Sequence, residues 1–362
     1  MPRATWNRIF EEVLRLQLED QGNPPHPGQP GRADGYRRLK IAGVEKVTER
    51  PLIVYASACT SPAKPVSPDL LMLDPSDKIG FKTVTDGIDS PNLDVLVHSP
   101  GGYPDATESV VQQLRAKYTS VRFIVPSFAK SAATMLTMSG DEILMDRDAE
   151  LGPVDPQMRT QSGISPAVAI LEQFNKAQNE LREDPSRLPS WIPILAPLGP
   201  SLLVDSQHAI DLSKELVETW TKTYMFAGDP QAEEKSKAIY EFLSDHGQFK
   251  SHGRPIKIPQ LQAHGVKVID IRSNPALYLA VDELYCCLDI LLTNSPVYKV
   301  FENSAGDALI RSVAAPMALQ LPPFLFPQPP RPVPPHPAQP PPGVAPPVPP
   351  EPLQPKAERT EK

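Results

Sequence analysis

The sequence has 362 residues, 40% of them apolar and 22% charged, with 46 prolines and a formal net charge of −7 at pH 7. That acidic balance, without a basic run, excludes the electrostatic footprint of a nucleic-acid binder, so no nucleic-acid partner is expected. Cys59, Cys286 and Cys287 are too few for a disulfide framework and lack metal-ligand spacing; with no 18-residue apolar window and no signal-peptide core, a cytoplasmic location is expected.

In chain order, the first expected element is a helix within residues 1–18. Trp6, Ile9, Phe10, Val13, Leu14 and Leu16 recur there near helical spacing, after Thr5, a residue suited to an N-cap. The stretch EDQGNPPHPGQPGRADG (19–35) reads as a Pro/Gly linker. One globular domain is expected over residues 36–300, opening with a helix at 36–47 and a buried strand, PLIVYAS, at 51–57. NLDVLVHS (92–99) is a second strand, VRFIVPS (121–127) a third and DEILM (141–145) a fourth. Between the second and third lies DATESVVQQLRAKY, a helix with Asp105 at its start and basic residues at its end, matching the helix dipole. Further helices are expected near 167–182, 205–224, 231–243 and 274–292. In the last of these, Cys286 and Cys287 read as small core hydrophobes.

Strands separated by such helices imply right-handed βαβ crossovers, and apolar runs without alternation imply a sheet covered on both faces. The fold class is therefore α/β, with a mostly parallel sheet flanked by helices. Residues 301–362 are different. Nineteen of the 46 prolines fall between positions 316 and 355, which removes backbone donors and leaves no periodic apolar face. A disordered, polyproline II-like tail is expected there. Its PxxP spacings at 327–330 and 332–335 suit an aromatic-lined groove. A polyproline-binding partner through residues 316–355 is one expectation, and a tail without a dedicated partner is the other.

Two motifs carry chemistry. HSPGGYPDA ends a strand in Gly101 and Gly102 just before a helix. Read alone, it is either a tight βα turn or a pair of N–H donors aimed at an oxyanion. FAKSAATMLTMSG starts a helix of small residues at Ser131, where the positive end of the helix dipole and the N–H of Ala132 lie beside the hydroxyl. Read alone, Ser131 is either an N-cap or a nucleophile. Together the motifs occupy the carboxyl ends of neighbouring parallel strands, where open α/β sheets place their ligands. Lys130 adjoins the serine, but successive helical residues diverge by about 100°. It reads as a substrate-facing or capping charge.

VLVHSPGGYPDATESVVQQLR, followed by FAKSAATMLTMSGDEILMDRDAELGPVDPQ, resembles the Clp protease/crotonase-like superfamily. Within it, the chain is most similar to the serine dehydrogenase proteinase family, related to signal peptide peptidase A. The resemblance is strong over residues 50–160, looser to roughly 290, and leaves out the proline tail. It implies the Clp/crotonase-like fold of repeated ββα units and a serine endopeptidase that hydrolyses peptide bonds with no metal or nucleotide cofactor. It also implies a homo-oligomer acting on a peptide or protein substrate. Ser131 is then the nucleophile, and Gly101, Gly102 and Ala132 form the oxyanion hole.

The general base stays open. QHAIDLSKELVETWTKTYMFAG resembles the Clp subunit's helix that starts with its catalytic His-Ala pair, which implies His208. The signal peptide peptidase A type uses a lysine, and Lys176 lies at roughly the sequence distance that type employs. An insertion over residues 164–203 lengthens the interval from Ser131 to His208. Where the Clp subunit has its acid, this chain has His252 and Gly253, with Asp245 the nearest carboxylate. Asp245 is the candidate third member, and a dyad is the alternative. Two other functions stay open on the same fold: a crotonase-like acyl-CoA enzyme, which needs an oxyanion hole but no serine, and a catalytically inactive scaffold.

Overall fold

The computed structural model describes residues 5–26, 29–61, 64–161 and 163–313. Its strands are β1 (Leu52–Ser57), β2 (Asn92–His98), β3 (Ser120–Val125), β4 (Phe128–Ala129), β5 (Glu142–Met145), β6 (Glu150–Leu151), β7 (Gln157–Thr160), β8 (Gly163–Pro166), β9 (Val268–Asp270), β10 (Val297–Asn303) and β11 (Ala308–Ser312). Its helices are α1 (Thr5–Gly22), α2 (Arg32–Thr48), α3 (Lys78–Thr85), α4 (Pro104–Lys117), α5 (Ala132–Met138), α6 (Ala167–Glu183), α7 (Leu188–Leu195), α8 (Leu202–Trp220), α9 (Ala232–Leu243), α10 (His246–Phe249), α11 (Ile258–Ala263) and α12 (Pro275–Asn294).

Among the described residues, seven strands form the main sheet in the order β11-β10-β1-β2-β3-β5-β9. From β1 to β9 the neighbours are parallel, whereas β10 pairs antiparallel with both β1 and β11. The apolar runs follow from covering both faces. Side chains alternate across a strand. Ile53 and Tyr55, Val95 and Val97, Phe123 and Val125, and Ile143 and Met145 therefore meet one layer, made by α4, α5, α8 and α9. Leu52, Val54, Ala56, Leu96, Ile124 and Leu144 meet the other, supplied by Ile41 and Val44 of α2 and by Leu277, Leu284 and Leu288 of α12. Each fully buried branched side chain contributes about 1.5–3 kcal/mol. Cys286 and Cys287 pack with Ile9, Val13 and Ile290 where α1 meets α12, and burial pushes both thiols up to about 12. They serve as core hydrophobes.

Two sequence boundaries need correction. The Pro/Gly linker is shorter than 19–35, because α1 continues to Gly22 and α2 already begins at Arg32. The globular domain does not stop at residue 300 either, since β10 and β11 carry it to Ser312. The charges in PVYKVFEN disguise a buried strand. Lys299 and Glu302 are fully buried there, each neutralised by partners distant in sequence: Lys299 by Asp77, and Glu302 by Arg37 and Arg38. The expected polyproline tail over 316–355 lies outside the described residues. Among the described residues, no helix is long and apolar enough to cross a membrane.

Candidate active site

The two chemical motifs meet at the carboxyl ends of β2 and β3. The turn after β2 and the turn after β4 are laced together, with the Ser99 N–H donating to Phe128 O at 3.3 Å and the Lys130 N–H to Ser99 O at 3.0 Å. Gly101 has φ +107°, and a Cβ there would stand 2.7 Å from Lys130 O and 2.8 Å from the Ser131 Cβ. Only glycine permits both the conformation and the approach. Gly102 is closed off on its other side, where a Cβ would lie 2.1 Å from Leu73 O. Leu73 brackets it with two backbone bonds, donating to Gly101 O at 2.7 Å and accepting from the Tyr103 N–H at 2.9 Å. The glycine pair is thus held directly against the serine turn.

Ser131 occupies the residue before α5 with φ +52° and ψ −121°. That conformation is sparsely populated by any residue with a Cβ and is stored where the surrounding fold over-determines it. A capping serine has extended backbone and bonds the first helical turn through its hydroxyl; Ser131 makes no such bond. Instead, the turn is closed by its backbone, with Ala133 N–H donating to Lys130 O at 2.8 Å and Met135 N–H to Ser131 O at 3.0 Å. The geometry is that of a strained strand-to-helix turn presenting a free hydroxyl. Among the described residues, the N–H groups of Gly102 and Ala132 have no protein acceptor, and both sit at this turn.

Ser131 opens onto a cleft of about 440 Å³ whose walls include Met72, Gly102, Met135, Asp155 and His252. Asp155 is buried, and its Oδ1 lies 2.5 Å from Nδ1 of His252. Its Oδ2 accepts from Gln157 Nε2 at 2.9 Å and stands 3.6 Å from His246 Nδ1. The loop carrying Asp155 is tied to the serine helix through buried Thr134, whose hydroxyl donates to Ala129 O at 2.7 Å and accepts from the Gly152 N–H at 3.0 Å. Leu151 and Ile256 exchange two backbone bonds of 3.0 Å each, which brings the His252 turn alongside. Nδ1 of His252 is thus engaged by a carboxylate, with Gln157 Nε2 also 3.3 Å away, and among the described residues Nε2 makes no hydrogen bond.

The structure does not gather the other sequence candidates around Ser131. His208 is exposed on α8; the cleft is lined instead by its helix neighbours Ala209 and Ser213, because one step along a helix turns a side chain by about 100°. Lys176 is exposed on α6. Asp245 is exposed and caps α10, accepting from the Gln248 N–H at 2.8 Å. None of the three lines the cleft. Lys130 does not line the cleft; it is paired with Glu150 and donates to Leu151 O at 3.2 Å. His98 is buried against Phe128 and Tyr285 at 4.5 and 5.3 Å, and burial holds its pKa down to about 4. It is a neutral packing residue. Asp155 escaped notice in LGPVDPQ because only the fold pairs it with His252, which the sequence placed only as an occupant of the acid's position. Among the described residues, no cluster of three or more His, Cys, Asp or Glu side chains is arranged to hold a metal ion.

Comparison with known proteins gives three findings. Residues 69–286 match the family described as ClpP-like SDH-type serine proteinase. Two uncharacterized proteins of Methanocaldococcus jannaschii are similar. One is 29% identical over 177 residues, 49% of this chain and 51% of that one; the other is 28% identical over 194 residues, 53% and 58%. The chain therefore spans about half the length of the curated relatives it matches. A solved structure, a mutant of the 1510-N membrane-bound stomatin-specific protease, aligns at 14% identity and a TM-score of 0.34, over 56% of this chain and 77% of that one.

Proposed function

The chain belongs to the ClpP-like SDH-type serine proteinase family, and from that premise we propose that it hydrolyses peptide bonds through Ser131, with His252 as general base and Asp155 as its orienting carboxylate. In this reading, Ser131 Oγ attacks the scissile carbonyl carbon while its proton passes to His252 Nε2. Asp155 keeps the other ring proton on Nδ1 and stabilises the imidazolium that forms. The carbonyl oxygen becomes an oxyanion beside the N–H groups of Gly102 and Ala132, and Gly101 sets the turn that aims them. His252 then returns the proton to the leaving amine, the C–N bond breaks, and an acyl ester remains on Ser131. Water, deprotonated by the same imidazole, hydrolyses that ester and frees the serine.

The observation that carries this reading is the backbone of Ser131. A serine at φ +52° and ψ −121°, making no cap bond and pressed against a glycine pair, supports a nucleophile over a structural hydroxyl. The test is to treat the full chain with a fluorophosphonate and map the adduct by peptide mass spectrometry. Stoichiometric modification of Ser131, lost in Ser131→Ala, is the expected result. A folded chain that takes up no label overturns the reading in favour of an acyl-CoA enzyme or an inactive scaffold.

A further inference from the structure

Lys299 lies in the middle of β10, fully buried, and it carries no role in the chemistry described above. Its ammonium donates to four acceptors, all from one short segment: Met72 O at 2.8 Å, Asp74 Oδ2 at 3.2 Å, and Asp77 Oδ1 and Oδ2 at 3.0 and 2.8 Å. Taking an ammonium and a carboxylate out of water is costly, and packed hydrocarbon of similar volume holds a sheet at least as well. What hydrocarbon cannot do is fix a main-chain carbonyl. Met72 is a wall of the cleft beside Ser131, and the next residue, Leu73, brackets Gly102 through its bonds to Gly101 and Tyr103. A continuous path therefore runs from the Lys299 ammonium to the Met72 carbonyl, to Leu73, to the glycine pair. The separate ion pair of Asp77 with Arg311, at 3.8 Å, stands outside that path.

We propose that Lys299 is a positioning residue for the oxyanion turn, holding the 72–74 segment in the register that sets the Gly102 N–H against Ser131. This rests on the reading of Ser131 as nucleophile. Removing the tie lets the segment and the turn shift, so transition-state stabilisation falls while the cleft still admits its ligand.

The test compares three variants of the full chain with wild type in fluorophosphonate labelling, well below their melting points. Lys299→Met/Asp77→Asn removes both fully buried charges together, leaving only the partly exposed Asp74 and Arg311 without these ion-pair partners. Lys299→Arg keeps the charge, but its planar fork cannot reproduce the compact set of donors; it keeps the test open should the double variant not fold. Asp94→Asn is the control, since it breaks an ion cluster built on an equally buried carboxylate, Asp94 with Arg50 and Arg122 at 2.8 Å each, in the same sheet but off the path. The Lys299 variants are expected to lose about 10- to 100-fold in the maximal inactivation rate with the half-saturating probe concentration little changed, while Asp94→Asn stays within about threefold. Folded Lys299 variants that label at the wild-type rate, or that lose no more than Asp94→Asn, overturn the positioning role alone. A wild-type chain unlabelled at Ser131 overturns the nucleophile and the positioning role together.

Discussion

Nδ1 of His252 lies 2.5 Å from Oδ1 of Asp155, a residue 97 positions away in sequence. Neither belongs to a regular element. The pair forms because the loop after β6 is anchored to α5 through Thr134 and to the segment before α11 through Leu151 and Ile256. The same anchors bring Asp155 and His252 into the wall of the Ser131 cleft.

That relationship separates the candidate bases. His252→Ala is expected to lower peptide hydrolysis and Ser131 labelling by about 100- to 10,000-fold, the range over which a positioned general base acts. Asp155→Asn should lower both as well, because the imidazole loses its tautomer lock. His208→Ala and Lys176→Ala, both at exposed positions, should stay within about threefold. Retained activity in His252→Ala together with loss in His208→Ala would return the base to α8.

The backbone of Ser131 makes a prediction about stability. At φ +52° and ψ −121°, any Cβ is strained, and strain of this kind costs about 1–3 kcal/mol. Glycine occupies the region freely. Ser131→Gly is therefore expected to be more stable than Ser131→Ala by about 1 kcal/mol in urea unfolding, with no peptide hydrolysis expected of either. Equal stability of the two would mean that the turn relaxes in solution.

Gly101 tests the approach of the two motifs. A Cβ at this position would meet Lys130 O at 2.7 Å and the Ser131 Cβ at 2.8 Å, both of them held by backbone. Gly101→Ala should push the turns apart and cost about 100- to 1,000-fold in kcat, the scale of one lost oxyanion donor. Gly163→Ala is the matched control: its φ is also positive, at +125°, but nothing lies within 4 Å of the added carbon. It should be destabilised by backbone strain with kcat unchanged.

Buried His98 gives a pH dependence with a definite sign. Burial lowers its pKa from 6.5 to about 4, so between these values the unfolded chain binds a proton that the folded chain refuses. Stability then rises with pH across that window and is lost as pH falls from about 6.5 to about 4. The amount is on the order of 3 kcal/mol. Thermal midpoints measured from pH 7 to pH 4.5 should fall more steeply in wild type than in His98→Leu; parallel slopes would mean that His98 is protonated inside the fold.

Much of the architecture is written locally in the chain. LIVYAS is an almost wholly apolar run, and NLDVLVH and SVRFIV are interrupted in their interiors only by Asp94 and Arg122, because both faces of those strands are covered; helix α4 announces itself by Pro104 and Asp105 at one end and basic residues at the other. The glycine pair and Ser131 were legible for a related reason: each is a short string whose chemistry depends on its own backbone. Strand β10 was not legible, since Lys299 and Glu302 interrupt its apolar run and are made tolerable only by partners more than 200 positions away.

By itself, then, the sequence determined the parallel α/β frame and the two turns at the carboxyl ends of β2 and β3, with Ser131 as the serine proposed to act there. Only the tertiary structure decided which histidine lines the same cleft. Helix α8 shows the cleft Ala209 and Ser213 and leaves His208 in solvent, a matter of rotation about an axis that no local pattern specifies. It also decided that Asp155 and His252 belong together and that Lys299 reaches Met72. Such pairings arise from loop anchoring and the mutual neutralisation of buried groups, and both exist only once the chain has closed on itself.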